Sequence, residues 1–197
     1  MTSPANIRIV ALVPMRHNSE RVPGKNYRLM AGKPMFYHIV ETLRKVPLIS
    51  DIVIDTDSPD IKAGIFEHFP DVIVLDRPEH LKAGEIPMNE ILLHDTAQVE
   101  ADYYLQTHST NPLLTSDSIL EAIYAFLKAA ADVDSLYSVT RLQTRLYDQD
   151  GTPINHNPNE LLRTQDLPPV YEENSCIYLF TRKLLEEKGH RIGDNPL

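Results

Sequence analysis

Apolar positions in the first half of the chain follow two alternating rhythms. Short runs rich in β-branched or aromatic residues at 7–13, 51–55, 72–75 and 103–106 read as strands. The stretches between and after them, 34–46, 59–69, 87–99 and 116–131, carry apolar residues at helical spacing. In the last of these, Ile119, Ala122, Ile123, Phe126 and Ala130 share a face, with Asp117 and Glu121 toward the positive end of the helix dipole. Pro34 and Pro87 are expected in first helical turns, where a missing N–H costs nothing. Strands that are apolar on both faces, each followed by a helix, predict right-handed crossovers and a mostly parallel sheet. The expected fold is therefore α/β, in three layers.

Beyond a further strand at 135–140 the rhythm breaks. Residues 141–170 are polar and rich in Asn, Pro and Asp, with Asp150-Gly151 as a turn signal. So long an irregular stretch inside a compact domain is usually functional or an interaction element. Strand character returns at 176–181 and a short helix is expected from Arg182. The division predicted is a core of 1–140 and 171–197 with an insertion at 141–170. Residues 192–197 read as neither a finished element nor a cap, so the fold is expected to continue past Leu197.

The 197 residues suit one domain with a substantial core. A net charge of −9, from 28 acidic and 19 basic residues, argues against a general nucleic-acid binder, which needs a basic face. No apolar run reaches the ~20 residues of a membrane helix, and residues 1–6 show no leader pattern. The lone Cys176 leaves no internal disulfide and suits a reducing cytoplasm. His17, His108 and Cys176 form no pair with metal-ligand or triad spacing.

Against an acidic background, the cations of VPMRHNSERVPGKN (13–26) stand out. The segment leaves the end of the first strand, where open α/β sheets place ligands. It combines Arg16, Arg21 and Lys25 with Asn18, Ser19, Asn26, Pro23 and Gly24. Fixed cations and short donors on a closely wrapping loop are what a polyphosphate requires. On residue types alone, a solvated surface loop is an equally good description. A Walker-type loop is excluded, because Ser19 stands where glycine is needed and Asn26 replaces the Ser or Thr; no G-x-G-x-x-G occurs.

That segment, followed by MAGKPM (30–35), resembles the N-terminal signature of the acylneuraminate cytidylyltransferases (CMP-sialic acid synthetases), with Met15 in place of the usual alanine. Further likenesses follow in order: DTDS (55–58), LDRP (75–78), PMNEI (87–91), LQTHSTNPL (105–113) and YEENSCIY (171–178). LQTHSTNPL carries extra residues before its Pro-Leu, and YEENSCIY has Ser175 where glycine is usual. The resemblance implies a Rossmann-like fold, a homodimer formed through the insertion, and transfer of CMP from CTP to the anomeric hydroxyl of an acidic nine- or eight-carbon sugar. Arg16 and Lys25 would then hold the phosphates and stabilise the leaving charge. Met15, Asn18, Ser19, Asn26 and Arg77 would bind the nucleotide, and Gln106 would face the sugar. Arg163 would reach the sugar carboxylate from a neighbouring subunit. The family uses Mg²⁺ held by an Asp-x-Asp segment near the C-terminus; no such segment is present, and the ligands are expected beyond Leu197. Asp55 and Asp57 have the right chemistry but the wrong place, and read as structural. Kdo synthetases tend to carry proline where Asn26 stands, which favours sialic-type acids. Two alternatives stay open: a sugar-1-phosphate nucleotidyltransferase, whose loop is usually richer in glycine, and a non-catalytic nucleotide-binding relative.

Overall fold

A computed structural model describes residues 7–19 and 21–197; residues 1–6, on which the leader reading rests, lie outside it. The elements run β1 (Ile9–Leu12), β2 (Leu29–Met30), β3 (Lys33–Pro34), α1 (Met35–Leu43), β4 (Ile49–Thr56) and α2 (Pro59–His68). They continue with β5 (Ile73–Asp76), α3 (Met88–Gln98), β6 (Tyr103–Gln106), α4 (Ser116–Ala129), β7 (Leu136–Leu142), β8 (Val170–Phe180) and α5 (Arg182–Lys188). The main sheet has the order β5-β4-β1-β6-β8-β7, while β2 and β3 form a small hairpin. β1 pairs in parallel with both β4 and β6, β4 pairs in parallel with β5, and β8 runs antiparallel to β6. The mostly parallel α/β sheet expected from the apolar rhythm is present.

Alternate residues of the buried strands feed two apolar clusters. Ile9, Ala11, Ile52, Ile54, Leu105 and Leu179 point to the side of Ile39, Val40, Ile61, Ile65, Ile119 and Phe126, on α1, α2 and α4. Val10, Leu12, Val53, Tyr104, Tyr178 and Phe180 point to the side of Leu92, Leu184 and Leu185, on α3 and α5. A period of two along each strand thus buries both faces, and the chain forms three layers.

Pro34 and Pro87 differ from expectation. Each is the extended residue before its helix, with ψ near 139° and 142°. Thr115 and Ser58 cap α4 and α2 with their side chains, accepting from Ser118 and Ile61 N–H.

The chain divides into two compact units, one of Met1–Tyr137 with Cys176–Leu197 and a second of Ser138–Ser175. The second unit is a few residues wider than the insertion predicted at 141–170, because β7 and β8 carry strand geometry into it. Its buried side chains are the apolar Leu167 and the polar Asn155. Asn155, 7% exposed, accepts from Leu146 N–H at 3.0 Å and donates to the carbonyls of Thr144 (2.8 Å) and Pro168 (2.9 Å). Asp148 Oδ1 accepts from the N–H groups of Asp150 and Thr152 around Gly151, whose φ of 80° needs glycine. Side-chain amides and carboxylates thus replace a strand ladder, which is why no periodicity was visible there. Among the described residues no helix is long and apolar enough to cross a membrane.

Candidate active site

In the first unit the strand order reverses between β1 and β6: the chain moves outward from β1 to β4 and β5, then crosses back to β6. Loops leaving the carboxyl ends of those two strands diverge and open a crevice. The loop after β1 leaves the sheet late, because Val13 N–H still donates to Val53 and Met15 N–H to Asp55, both at 2.9 Å. Arg16 is the first residue free of the ladder. The chain then bends back through a 3-10 turn, Lys25–Tyr27, preceded by Gly24 at φ 64°. A Cβ on Gly24 would sit 2.8 Å from the Tyr27 ring, so glycine is required for both conformation and space. His17 stacks on Tyr27 with ring centroids 5.3 Å apart, its Nδ1 lies 2.9 Å from Ser58 Oγ, and its backbone N–H donates to Asp57 Oδ1 at 2.6 Å. His17 therefore builds the bend.

Asn26 closes it. This side chain is 6% exposed, donates to the Arg16 carbonyl at 2.9 Å and accepts from the Ser109 hydroxyl at 2.6 Å. The loops after β1 and β6 are thereby joined at the point of strand reversal.

A cavity of about 210 Å³ opens there, lined by Arg16, Lys25, Asn26, Arg77, His108 and Ser109 among others. A neighbouring hollow is lined by Arg16, Asn18, Asp57, Lys82 and Gly84. Burial, Arg21 and Arg16 together lower the Lys25 pKa below the usual lysine range. Like charges held this close are costly until an anion arrives, the electrostatic signature of a phosphate site. Burial, Arg191 and Lys25 likewise push the His108 imidazole down to about 4, so at neutral pH it is uncharged. Its Nε2 then accepts from Gln106 Nε2 at 3.1 Å, and Gln106 also donates to the Thr107 carbonyl at 2.9 Å. The Arg191 guanidinium lies 3.8 Å over the Tyr178 ring, in the strand residue that pairs with Gln106.

Arg77 follows β5 and is 6% exposed. Its Nε donates to Asp55 Oδ1 in a fully covered ion pair, and its backbone N–H donates to the Thr56 carbonyl at 3.3 Å.

Arg16, Lys25, Asn26, Met15 and Arg77, all singled out from the sequence, meet at the first cavity. Met15 does so with its side chain almost wholly in the core, at 2% exposure. Asn18 lies at the neighbouring hollow. Ser19 shapes the bend, accepting from Val22 N–H at 3.4 Å. Gln106 ends β6 as expected but is fully covered, and reaches the cavity wall through His108. Arg163 belongs to the second unit, where its guanidinium grips Asp166 at 2.6 and 3.1 Å. Sequence reasoning gave His108 no role and did not single out Lys82, Ser109 or Arg191. The position of His108, two residues beyond the end of β6 at the strand reversal, was the available signal.

Among the described residues the group of His, Asp and Glu side chains placed to share a cation is Asp55, His94 and Asp95. It does not suit Mg²⁺, which favours carboxylates and waters in an octahedron, because Arg77 already occupies Asp55. Asp57 is different: it lines the hollow beside Arg16 and Asn18, with one carboxylate oxygen engaged by His17 N–H. A single carboxylate of this kind fits a Mg²⁺ carried mainly by substrate phosphates.

The chain is 28% identical over 195 residues to the CMP-N,N'-diacetyllegionaminic acid synthase of Legionella pneumophila, covering 93% of this chain and 82% of that protein. It is 27% identical over 176 residues to 3-deoxy-manno-octulosonate cytidylyltransferase 2 of Hydrogenovibrio crunogenus, covering 89% and 65%. To the N-acylneuraminate cytidylyltransferase of Streptococcus agalactiae it is 28% identical over 191 residues, covering 91% and 45%. The chain thus spans less than two thirds of the length of two of these relatives. Among solved structures, a CMP:2-keto-3-deoxy-manno-octonic acid synthetase complexed with CTP shares the fold, with a TM-score of 0.72 at 17% identity over 92% of this chain and 77% of that one. The cytidylyltransferase family profile matches residues 10–191, from within β1 to beyond α5. Nearly every element that builds the crevice lies inside that match, and the chain belongs to the cytidylyltransferase family.

Proposed function

We propose that the protein transfers CMP from CTP to the anomeric hydroxyl of a sialic-acid-like 2-keto-3-deoxy sugar acid, releasing pyrophosphate. The observation that carries this reading is the meeting of Arg16, Lys25 and Arg77 at one cavity on the strand reversal. In the reaction the sugar oxygen bonds to the α-phosphorus, the bond from that phosphorus to the β-phosphate bridge breaks, and the hydroxyl proton leaves to solvent. Charge grows on the departing pyrophosphate. Arg16 and Lys25 are preorganised to offset it, so the protein contributes mainly position and charge. Asn18 and Asn26 orient the nucleotide on the loop, and Ser19 keeps the bend in shape. Asp57 is the protein ligand offered to Mg²⁺, which when bound neutralises phosphate charge and orients the triphosphate.

Neutral His108, oriented by Gln106, is the group on the β6 side of the cavity, and this wall is assigned to the sugar acid. Arg163 is assigned to the sugar carboxylate of a second copy; a guanidinium matches that planar anion. Exposed Tyr147, Ile154, Leu161 and Tyr171 on the second unit support a homodimer formed through this insertion. The relatives include proteins named for eight-carbon and for nine-carbon acids at similar identity. Asn26 supports the nine-carbon side, since a proline there could make neither of its side-chain bonds. A cytoplasmic setting accords with a chain whose one cysteine, Cys176, leaves no internal disulfide.

The test is pyrophosphate release from CTP with Mg²⁺ across a panel of sialic, legionaminic, pseudaminic and 3-deoxy-octulosonic acids. Release with a nine-carbon acid is expected. Preference for UTP or dTTP with a sugar-1-phosphate would move the reading to that other nucleotidyltransferase class. CTP binding without any turnover would make the protein a non-catalytic relative.

A further inference from the structure

Behind the Arg77 wall of the cavity lie two carboxyl groups that the proposed reaction does not use. Asp55, near the end of β4, and Asp95, on α3, are each 1% exposed. Ligand atoms of these two and of His94 fall within 4.8 Å of one another. Arg77 Nε donates to Asp55 Oδ1, and its Nη2 reaches the Asp55 carbonyl at 3.4 Å. Asp55 Oδ2 and both Asp95 oxygens are buried without a hydrogen-bond donor among the described residues.

One guanidinium thus serves two buried carboxyls. Were both ionised, a negative charge would remain uncompensated in a covered site, a state that close carboxyl pairs avoid by sharing a proton. A proton on Asp95 directed at Asp55 pairs one oxygen of each carboxyl and leaves Asp55 as the anion that Arg77 needs. The titratable or charged neighbours are Asp55 from β4, Arg77 from the loop after β5 and His94 from α3 itself. From α5, Arg182 turns to the Thr96 carbonyl at 3.4 Å. A cation in place of the proton is disfavoured by Arg77, whose guanidinium already pairs with Asp55.

We infer that Asp95 is a protonated positioning residue, which through Asp55 holds the Arg77 guanidinium against the nucleotide cavity. This rests on reading that cavity as the nucleotide site. Burial and the Asp55 charge, partly offset by Arg77, push the Asp95 carboxyl up to about 9, so the proton stays in place at neutral pH.

Asp95→Asn and Asp95→Ala separate the role from mere packing. The asparagine amide can still donate to Asp55; alanine leaves that buried oxygen unpaired. CTP affinity, measured by calorimetry at neutral pH, should fall about tenfold in Asp95→Ala and largely recover in Asp95→Asn. In the unfolded chain Asp95 ionises above about pH 4, whereas in the folded protein it keeps its proton to about 9, so wild-type stability declines as pH rises through that window. The melting-temperature gap between Asp95→Asn and wild type should therefore widen from about pH 5 to 9 and then level off. Lys25 titrates in both proteins and cancels in the comparison. Infrared difference spectra should show the carbonyl stretch of a protonated carboxylic acid in wild type and not in Asp95→Asn. Parallel melting curves, or an Asp95→Ala protein that binds CTP as tightly as wild type, overturn the inference. So does stabilisation of the wild type, but not of Asp95→Asn, by Mn²⁺ alone. Arg77→Gln with unchanged CTP affinity would remove the nucleotide role of Arg77 as well, so the two failures are distinguishable.

Discussion

The Ser109 hydroxyl donates to Asn26 Oδ1 at 2.6 Å across 83 residues of sequence, and both groups are buried. This bond joins the cationic bend to the loop after β6, and so sets the width of the crevice between them.

Ser109→Ala leaves a buried amide oxygen unpaired and should cost about 1–3 kcal/mol of stability by denaturant unfolding. Asn26→Ala removes the bond to the Arg16 carbonyl as well, so it should be the more damaging of the two, with CTP affinity falling alongside stability. Equal CTP affinity in wild type and Asn26→Ala would show that the latch has no part in nucleotide binding.

Lys25 and Arg16 are expected to trade stability for function. Burial and the neighbouring arginines hold the Lys25 pKa below that of an unfolded lysine. The penalty therefore applies while the folded ammonium is charged, and is relieved as pH rises through the folded pKa toward the unfolded value. Lys25→Met should melt no lower than wild type at pH 7, while turnover falls by about 10²–10³ if the ammonium stabilises the leaving group. Arg16→Ala should show a loss of similar size in kcat. A Lys25→Met protein with wild-type turnover would remove lysine from the mechanism.

His108 gives a separate acid signature. Its folded pKa lies near 4 against 6.5 in the unfolded chain, so the unfolded state takes up a proton that the folded state refuses between those values. Stability should decline by about 2–3 kcal/mol as pH falls from 6.5 to 4, and His108→Gln should remove that share of the decline. Coincident pH–stability curves for the two proteins would contradict a neutral, half-buried imidazole.

Ser175 sits in the left-handed region at φ 55°, where the acylneuraminate signature usually has glycine. A side chain there costs about 1 kcal/mol or more, so Ser175→Gly should raise the unfolding free energy by about that much. A loss of stability instead would mean that the serine side chain does more for the fold than its backbone conformation costs.

The fate of particular residues shows what a sequence makes legible. Residues 103–106 were readable as a strand and β6 is Tyr103–Gln106, because three consecutive apolar or aromatic residues followed by turn signals leave few alternatives. Gln106 was legible as a strand end but not as a covered residue speaking through His108, since that depends on the path of the following loop. In 141–170 the order comes from Asn155 and Asp148, whose bonds to scattered backbone groups have no period to detect.

By itself the sequence determined the α/β layering, through the period of its apolar residues, and located a cationic bend at the end of β1, through motif spacing. Tertiary structure alone decided which distant groups complete the site: Ser109 on Asn26, Asp55 and Asp95 behind Arg77, His108 and Arg191 on the β6 side of the cavity. The reason is physical. Periodicity records only whether a residue faces core or water, whereas the charge state of Lys25, Asp95 or His108 depends on burial and on neighbours brought close by folding.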